Sequence, residues 1–250
     1  MLKLLCITAH PDDEAGGFGG TLQLYGERGV ETSVVCLTAG TAARNRGTAR
    51  TNQELAQLRR AEFAASCKVL KVAHGEVLDY PDSRLDRTDV YQAAGDLVLR
   101  IRQLRPHVIV TFGPDGGLTG HVDHAMAGVF ATMAFEWAGR PDRYFEQLEQ
   151  GQTPHRAQKL YYLAADFLLD DRQPIAPPTI TTRIEIGKER FEKKHLAFRQ
   201  HTTQKPLFER VRKNLVQRLE GSVEMYHLVA TRDPREATLE TDLFEGVMED

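Results

Sequence analysis

Two short, continuously apolar runs near the start, Leu2 to Thr8 and Thr32 to Thr38, constrain the fold of this chain more than any other feature. A strand with apolar residues at successive positions has no face left for solvent, so it must be covered on both sides, as in the parallel sheets of α/β proteins. Between them, Thr21 to Arg28, closed by Gly29, reads as a helix. Leu55, Leu58, Ala61 and Ala65, within Asn52 to Cys67, recur at helical spacing, and Val90, Ala94, Leu97, Ile101 and Leu104 do so again. Pro106 stops the second of these helices, His107 to Phe112 is a third apolar run, and Met126, Val129, Met133 and Trp137 mark a further helical stripe. The series predicts an α/β protein with a mostly parallel, Rossmann-like sheet, right-handed crossovers and helices on both faces.

Beyond Arg140 the pattern weakens. Residues 140–178 read as a variable insertion or rim, with a strand at Leu160 to Ala164 and a turn-rich stretch at Pro174, Pro177 and Pro178. Ile180 to Ile186 alternates apolar and polar residues like an edge strand. Arg183 to Leu219 carries eleven Lys or Arg against four Glu, with Phe208, Val211, Leu215 and Leu219 as a helix face, and reads as a solvated helical surface. Residues 233–250 hold seven acidic side chains and one Arg, an acidic tail expected to be mobile or to pack on that basic stretch. With no repeat or linker in between, residues 1–250 read as a single domain.

Composition narrows the function. Lys plus Arg number 32 against 35 Asp plus Glu, a formal charge of −3, which argues against nucleic acid or an anionic membrane surface as partner. No apolar run approaches the roughly 20 residues of a membrane span. The opening MLKLLCITAHPDDE leads into acidic residues instead of a cleavage site, so a cytoplasmic protein is expected. Cys6, Cys36 and Cys67 lack zinc-ribbon spacing and read as buried free thiols.

Two constellations carry chemistry. His10, Pro11, Asp12, Asp13 and Glu14 follow the first strand, and Pro11 disfavours helix at His10, so the acidic residues fall in the loop beyond the strand's carboxyl end. That edge is where open α/β sheets build sites. Equally, Asp12 to Glu14 could simply cap the following helix. The second constellation, Gly120 to His124, follows the strand His107 to Phe112 and places His121 and His124 three residues apart on one helical face. Parallel topology delivers both loops to one sheet edge. Imidazole and carboxylate are donors that zinc accepts, and a catalytic zinc takes three protein ligands and leaves a position for water. Two His and one Asp meet that need and leave a carboxylate over as proton acceptor. The glycines of Ala15 to Thr21 fail the dinucleotide fingerprint, since the sixth position from Gly17 is Leu22 and the third from Gly16 is Phe18. They read as giving close backbone approach, with an anion-binding helix N-terminus left open.

AHPDDE at Ala9 to Glu14, paired with GHVDH at Gly120 to His124, resembles the PIG-L and LmbE-like zinc-dependent de-N-acetylases. That family includes the deacetylases of N-acetylglucosaminylphosphatidylinositol, mycothiol and bacillithiol synthesis. The resemblance extends over Arg59 with Glu62, Tyr80 to Asp82 in YPDSRL, the RPHVIVTFGPDGG stretch and HTTQ at His201 to Gln204. It implies an LmbE-like three-layer sandwich in which His10, Asp13 and His124 bind one Zn2+ per chain, a donor set that Fe2+ also fits. It further implies Asp12 as general base, His121 as stabiliser of the oxyanion, and Asp123 orienting His121 through its ring nitrogen. Arg59 is then a substrate contact, or else an ion-pair partner of Glu62 one turn away, while His201 and Gln204 close the substrate site. The implied reaction is hydrolysis of the acetamide of an N-acetylglucosamine-type conjugate, a small-molecule substrate, to acetate and a free amino sugar. An amidase acting on a thiol-sugar conjugate and a non-catalytic metal- or sugar-binding module are the alternatives, and a homo-oligomer is left open. Arg44, Arg46 and Arg50, in the loop Ala39 to Thr51, either meet an anionic substrate group or keep that loop solvated.

Overall fold

In the computed structural model, residues 1–166, 176–206, 222–233 and 238–249 are described. Lys3–Thr8 forms β1, Asp13–Gly16 the single-turn α1, Gly19–Glu27 α2, Glu31–Thr38 β2, Asn52–Val69 α3 and His74–Tyr80 β3. Val90–Leu104 forms α4, Val108–Thr111 β4, Val122–Ala138 α5, Phe145–Glu149 α6 and Lys159–Ala164 β5. Thr182–Glu185 forms β6, Gly187–Phe198 α7 and Val223–Thr231 β7. The strands make one seven-stranded sheet in the order β3-β2-β1-β4-β5-β7-β6. β3 through β5 run parallel, whereas β7 pairs antiparallel with both β5 and β6.

The apolar runs behave as expected. From Leu4 to Thr8, and throughout β4, every residue is buried, because α4 and α5 pack as a pair on one face while α2, α3 and α7 cover the other. This is the three-layer α/β arrangement. Local chemistry sets the helix ends: Thr51 and Glu54 form a reciprocal capping box at the start of α3, and the Asp89 carboxylate accepts from Gln92 N at 2.9 Å to begin α4.

The start of α2 is where the structure answers the glycine question. A Cβ on Gly20 would lie 2.2 Å from Ile186 Cδ1, so only glycine lets this helix approach the end of β6. Its N-terminal amides are already taken, since Gly20 N and Thr21 N donate to the two oxygens of Glu224 at 2.9 and 2.8 Å. The anion at this helix end is therefore a side chain of β7, and the open site for an external one is withdrawn.

β3 and β7 have no counterpart in the sequence pattern, whereas β6 is the edge strand its alternation implies. The helix face of Phe208, Val211, Leu215 and Leu219, and Pro174, lie outside the described residues. Within the described part of the acidic tail, two carboxylates find side-chain partners outside the basic stretch. Glu240 is buried with Lys159 Nζ at 2.8 Å and Tyr161 OH at 2.6 Å, and Asp242 receives Tyr25 OH and Arg28 at 2.8 and 3.0 Å. All three cysteines are buried free thiols. Among the described residues, no helix is long and apolar enough to cross a membrane.

Candidate active site

From β1 the chain crosses to β2 on one side, and β4 lies against β1 on the other, so the sheet reverses its winding between β1 and β4. A crevice opens at such a reversal, beyond the carboxyl ends of the strands. Both constellations drop into it: His10 to Glu14 from the end of β1, and Gly120 to His124 at the start of α5 after β4.

The hydrogen bonds of each imidazole decide which nitrogen is left to bind. His10 Nε2 faces Asp82 Oδ1 and Asp123 Oδ2, each at 3.2 Å, so it carries the proton and leaves Nδ1 toward Asp13, 3.6 Å away. His124 Nδ1 lies 3.3 Å from the Gly116 carbonyl and 3.2 Å from Thr119 Oγ1, and its Nε2 faces Asp13 Oδ1 at 3.1 Å. The His124 ring stacks on Phe112 with centroids 4.1 Å apart, which fixes its plane. Asp13 is itself anchored, its Oδ2 accepting from the amides of Ala9 and His10 at 3.2 and 2.8 Å. Two imidazole nitrogens thus converge on one carboxylate, each ring steered by a hydrogen bond at its far nitrogen, the arrangement metal-binding histidines use. His121 joins as well, with donor atoms of His10, His121 and His124 all within 4.8 Å of one another.

The electrostatics agree. Burial disfavours charge on Asp13, yet His124 and His10 beside it hold its carboxyl well below the usual range. Burial likewise lowers His10, but bonds to Asp123, Asp13 and Asp82 raise it well above an ordinary imidazole. The crevice therefore stabilises positive charge at this point, and nitrogen and oxygen donors of this kind fit a divalent cation.

Asp12 stands apart from that group. Its backbone adopts φ 123°, ψ −25°, and its side chain caps nothing, so the helix-capping account of Asp12 fails. Burial pushes the Asp12 carboxyl up to about 6, against the pull of Arg59 and with help from Asp13. Arg59 is itself buried, donating to the Gly40 carbonyl at 2.7 Å and to the Pro11 carbonyl, with Nη2 3.6 Å from Asp12 Oδ2. Gly40 has φ +65°, and a Cβ there would lie 2.0 Å from the guanidinium, so glycine is required. The alternative Arg59–Glu62 pair does not form: Glu62 is taken by the hydroxyls of Thr202 and Thr203 and the amide of Thr203.

Two expected contacts are corrected. Asp123 does not orient the His121 ring with its carboxylate. That carboxylate accepts from Ser83 N at 2.7 Å, Leu85 N at 3.2 Å and His10, and it is the Asp123 backbone N–H that donates to His121 Nδ1 at 3.1 Å. His121 is consequently a neutral imidazole with a donor at Nε2; burial, then His10 and His124, lower its pKa. His201, expected at the substrate, is 1% exposed and bonds through Nε2 to Glu14 Oε1 at 2.7 Å, behind Asp12. Gln204 and Arg59 do line the cavity.

The cavity holds about 380 Å³. His10, Asp12 and His121 line it together with the apolar side chains of Phe112, Leu118, Leu163 and Phe198. Asp82 and Glu14 are the site residues that sequence reasoning underrated. Both sat inside quoted motifs, but nothing in their spacing showed that one turns to His10 and the other inward.

With this geometry in view, the comparisons with known proteins are decisive. The family model described as PIG-L, GlcNAc-PI de-N-acetylase, matches residues 5–135. The chain belongs to the PIG-L family. A PIG-L relative from Catenulispora acidiphila, 1D-myo-inositol 2-acetamido-2-deoxy-alpha-D-glucopyranoside deacetylase 2, is 30% identical over 98% of this chain and 97% of its own length. Mycothiol S-conjugate amidase of Streptomyces coelicolor is 33% identical over 65% of this chain and 60% of its own. Among solved structures, the N,N'-diacetylchitobiose deacetylase of Pyrococcus horikoshii superposes with a TM-score of 0.71 at 24% identity, covering 91% of this chain and 83% of that one. These curated relatives are a deacetylase and an amidase, both hydrolases of amide bonds.

Proposed function

We propose that this PIG-L protein removes acetyl from an N-acetylglucosamine-type conjugate, with one zinc ion held by His10 Nδ1, Asp13 and His124 Nε2. The observation that carries the reading is Asp12, a buried carboxylate kept beside the ligand group and outside it, with its pKa near 6. A pure binding site has no use for such a group, whereas a base must be ionised at neutral pH and still able to return its proton. The bound cation supplies Lewis acidity toward a carbonyl and acidifies water.

The chain's own residues account for the rest. Asp12 takes the proton of the attacking water and hands it to the leaving amine. His121, neutral because its Nδ1 accepts the Asp123 amide, offers Nε2–H to the oxygen that gains charge as the carbonyl carbon becomes tetrahedral. The apolar side chains of Phe112, Leu118, Leu163 and Phe198 in the lining suit the acetyl methyl and the faces of a sugar ring. Arg59 holds Asp12 and its loop, and Gln204 offers an amide to substrate hydroxyls.

The test is acetate and free-amine release by the purified protein with added zinc, on N-acetylglucosaminyl malate, N-acetylglucosaminyl inositol and chitooligosaccharides. Release from at least one conjugate is expected. Cleavage confined to the amide of thiol-sugar conjugates would establish the amidase reading, and metal uptake with no hydrolysis across the panel would reduce the protein to a binding module.

A further inference from the structure

Asp12 holds a backbone conformation that side-chain-bearing residues avoid, and the reason lies behind the site. With φ at 123° and ψ at −25°, it sits outside the regions open to non-glycine residues. Such strain persists only where surrounding contacts over-determine it. Three are visible. Asp12 N donates to Glu14 Oε2 at 2.9 Å, the Pro11 carbonyl just before it accepts from Arg59, and the Asp12 carboxylate faces the same guanidinium at 3.6 Å.

Glu14 is fully buried and could not keep its orientation alone. Its other oxygen receives Ser66 Oγ from α3 at 2.6 Å and His201 Nε2 at 2.7 Å. His201 lies 187 residues further along the chain, and among the described residues its Nδ1 has no hydrogen-bond partner. The next residues, Thr202 and Thr203, pin the segment to α3 by bonding Glu62.

We infer that His201 and Glu14 form a positioning pair: the short helical turn after α7 reaches in behind the β1 loop and, through Glu14, holds Asp12 in its strained conformation with the carboxylate aimed into the cavity. Neither residue touches substrate. The inference rests on the reading of Asp12 as base and deepens it, because it makes the C-terminal half of the chain responsible for where the proton acceptor points. Misplacing a reacting group by about 1 Å can cost about 10²-fold in rate.

The experiment uses the full chain. In His201→Phe, which fills the space but cannot donate, kcat should fall by about 10²-fold while KM and metal content per chain stay unchanged. His201→Gln, whose amide can still donate to Glu14, should recover most of kcat. The strain has a readout free of activity: Asp12→Gly, which adopts positive φ at no cost, should melt about 2–4 °C above Asp12→Ala. Unchanged kcat in His201→Phe, loss of its metal, failure of His201→Gln to recover, or equal melting of the two Asp12 variants would each overturn the inference; should His201→Phe not fold, His201→Gln and the melting pair decide. Full activity in Asp12→Asn would instead remove the base assignment itself, a separate failure.

Discussion

The parallel and antiparallel halves of the sheet do different work. β1 and β4 deliver the proposed ligands and their neighbours, His10, Asp12, Asp13, His121 and His124, from loops at their carboxyl ends. Among the described residues, the antiparallel side, β6 and β7 with α7 and the turn at 201–204, gives the cavity only Phe198 and Gln204. Yet it supplies Glu224 to the N-terminus of α2, His201 to Glu14, and Thr202 and Thr203 to Glu62. One half presents chemistry and the other fixes it. Reactive groups gather where strands end in a crevice, but loops carrying charged side chains at low dielectric hold one geometry only if buried partners brace them.

The division can be broken from either side. The largest effect belongs to the presenting half: Asp12→Asn should lower kcat by about 10² to 10⁴-fold while the metal stays bound, checked by steady-state kinetics beside elemental analysis. A drop in metal content to match would merge Asp12 with the ligands and erase the distinction drawn within that half. Smaller is the effect of Asp123→Asn. Because the carboxylate bonds His10 Nε2, metal affinity should weaken by about 10 to 100-fold, measured by competition with a chromogenic chelator. Intact affinity with lost turnover would return Asp123 to His121 and sharpen the opposite reading. Smallest in activity is Glu224→Gln in the bracing half. Trading a carboxylate that meets two amides and Lys194 for an amide should cost about 1–3 kcal/mol of stability in denaturant unfolding, with kcat and KM unchanged. A fall in kcat there would show that the brace at α2 also reaches the site.

Legibility followed the same line. β1, β2 and β4 were readable because strands covered on both faces are apolar throughout, and α3 and α4 because their stripes keep helical spacing. β3 was silent as an edge strand whose HGEVLDY is mostly exposed, and β7 because its buried positions include Glu224. His10, Asp13 and His124, the proposed ligands, stood out because imidazoles and carboxylates cluster in each of two short motifs. The role of Asp123 was misassigned because four residues of sequence cannot tell which side of a helix start a carboxylate turns to.

By itself, then, the sequence determined the layer architecture, the strand ends that bear the chemistry and the family, since hydrophobic period and donor clustering are local properties that survive in one dimension. Only the tertiary structure decided that Asp123 serves His10, that His201 stands behind Asp12, and that the helix N-terminus at Gly20 is filled by Glu224. Each of these joins residues 113, 187 or more than 200 positions apart, and such pairings are set by packing and by the cost of leaving a buried polar group unpartnered.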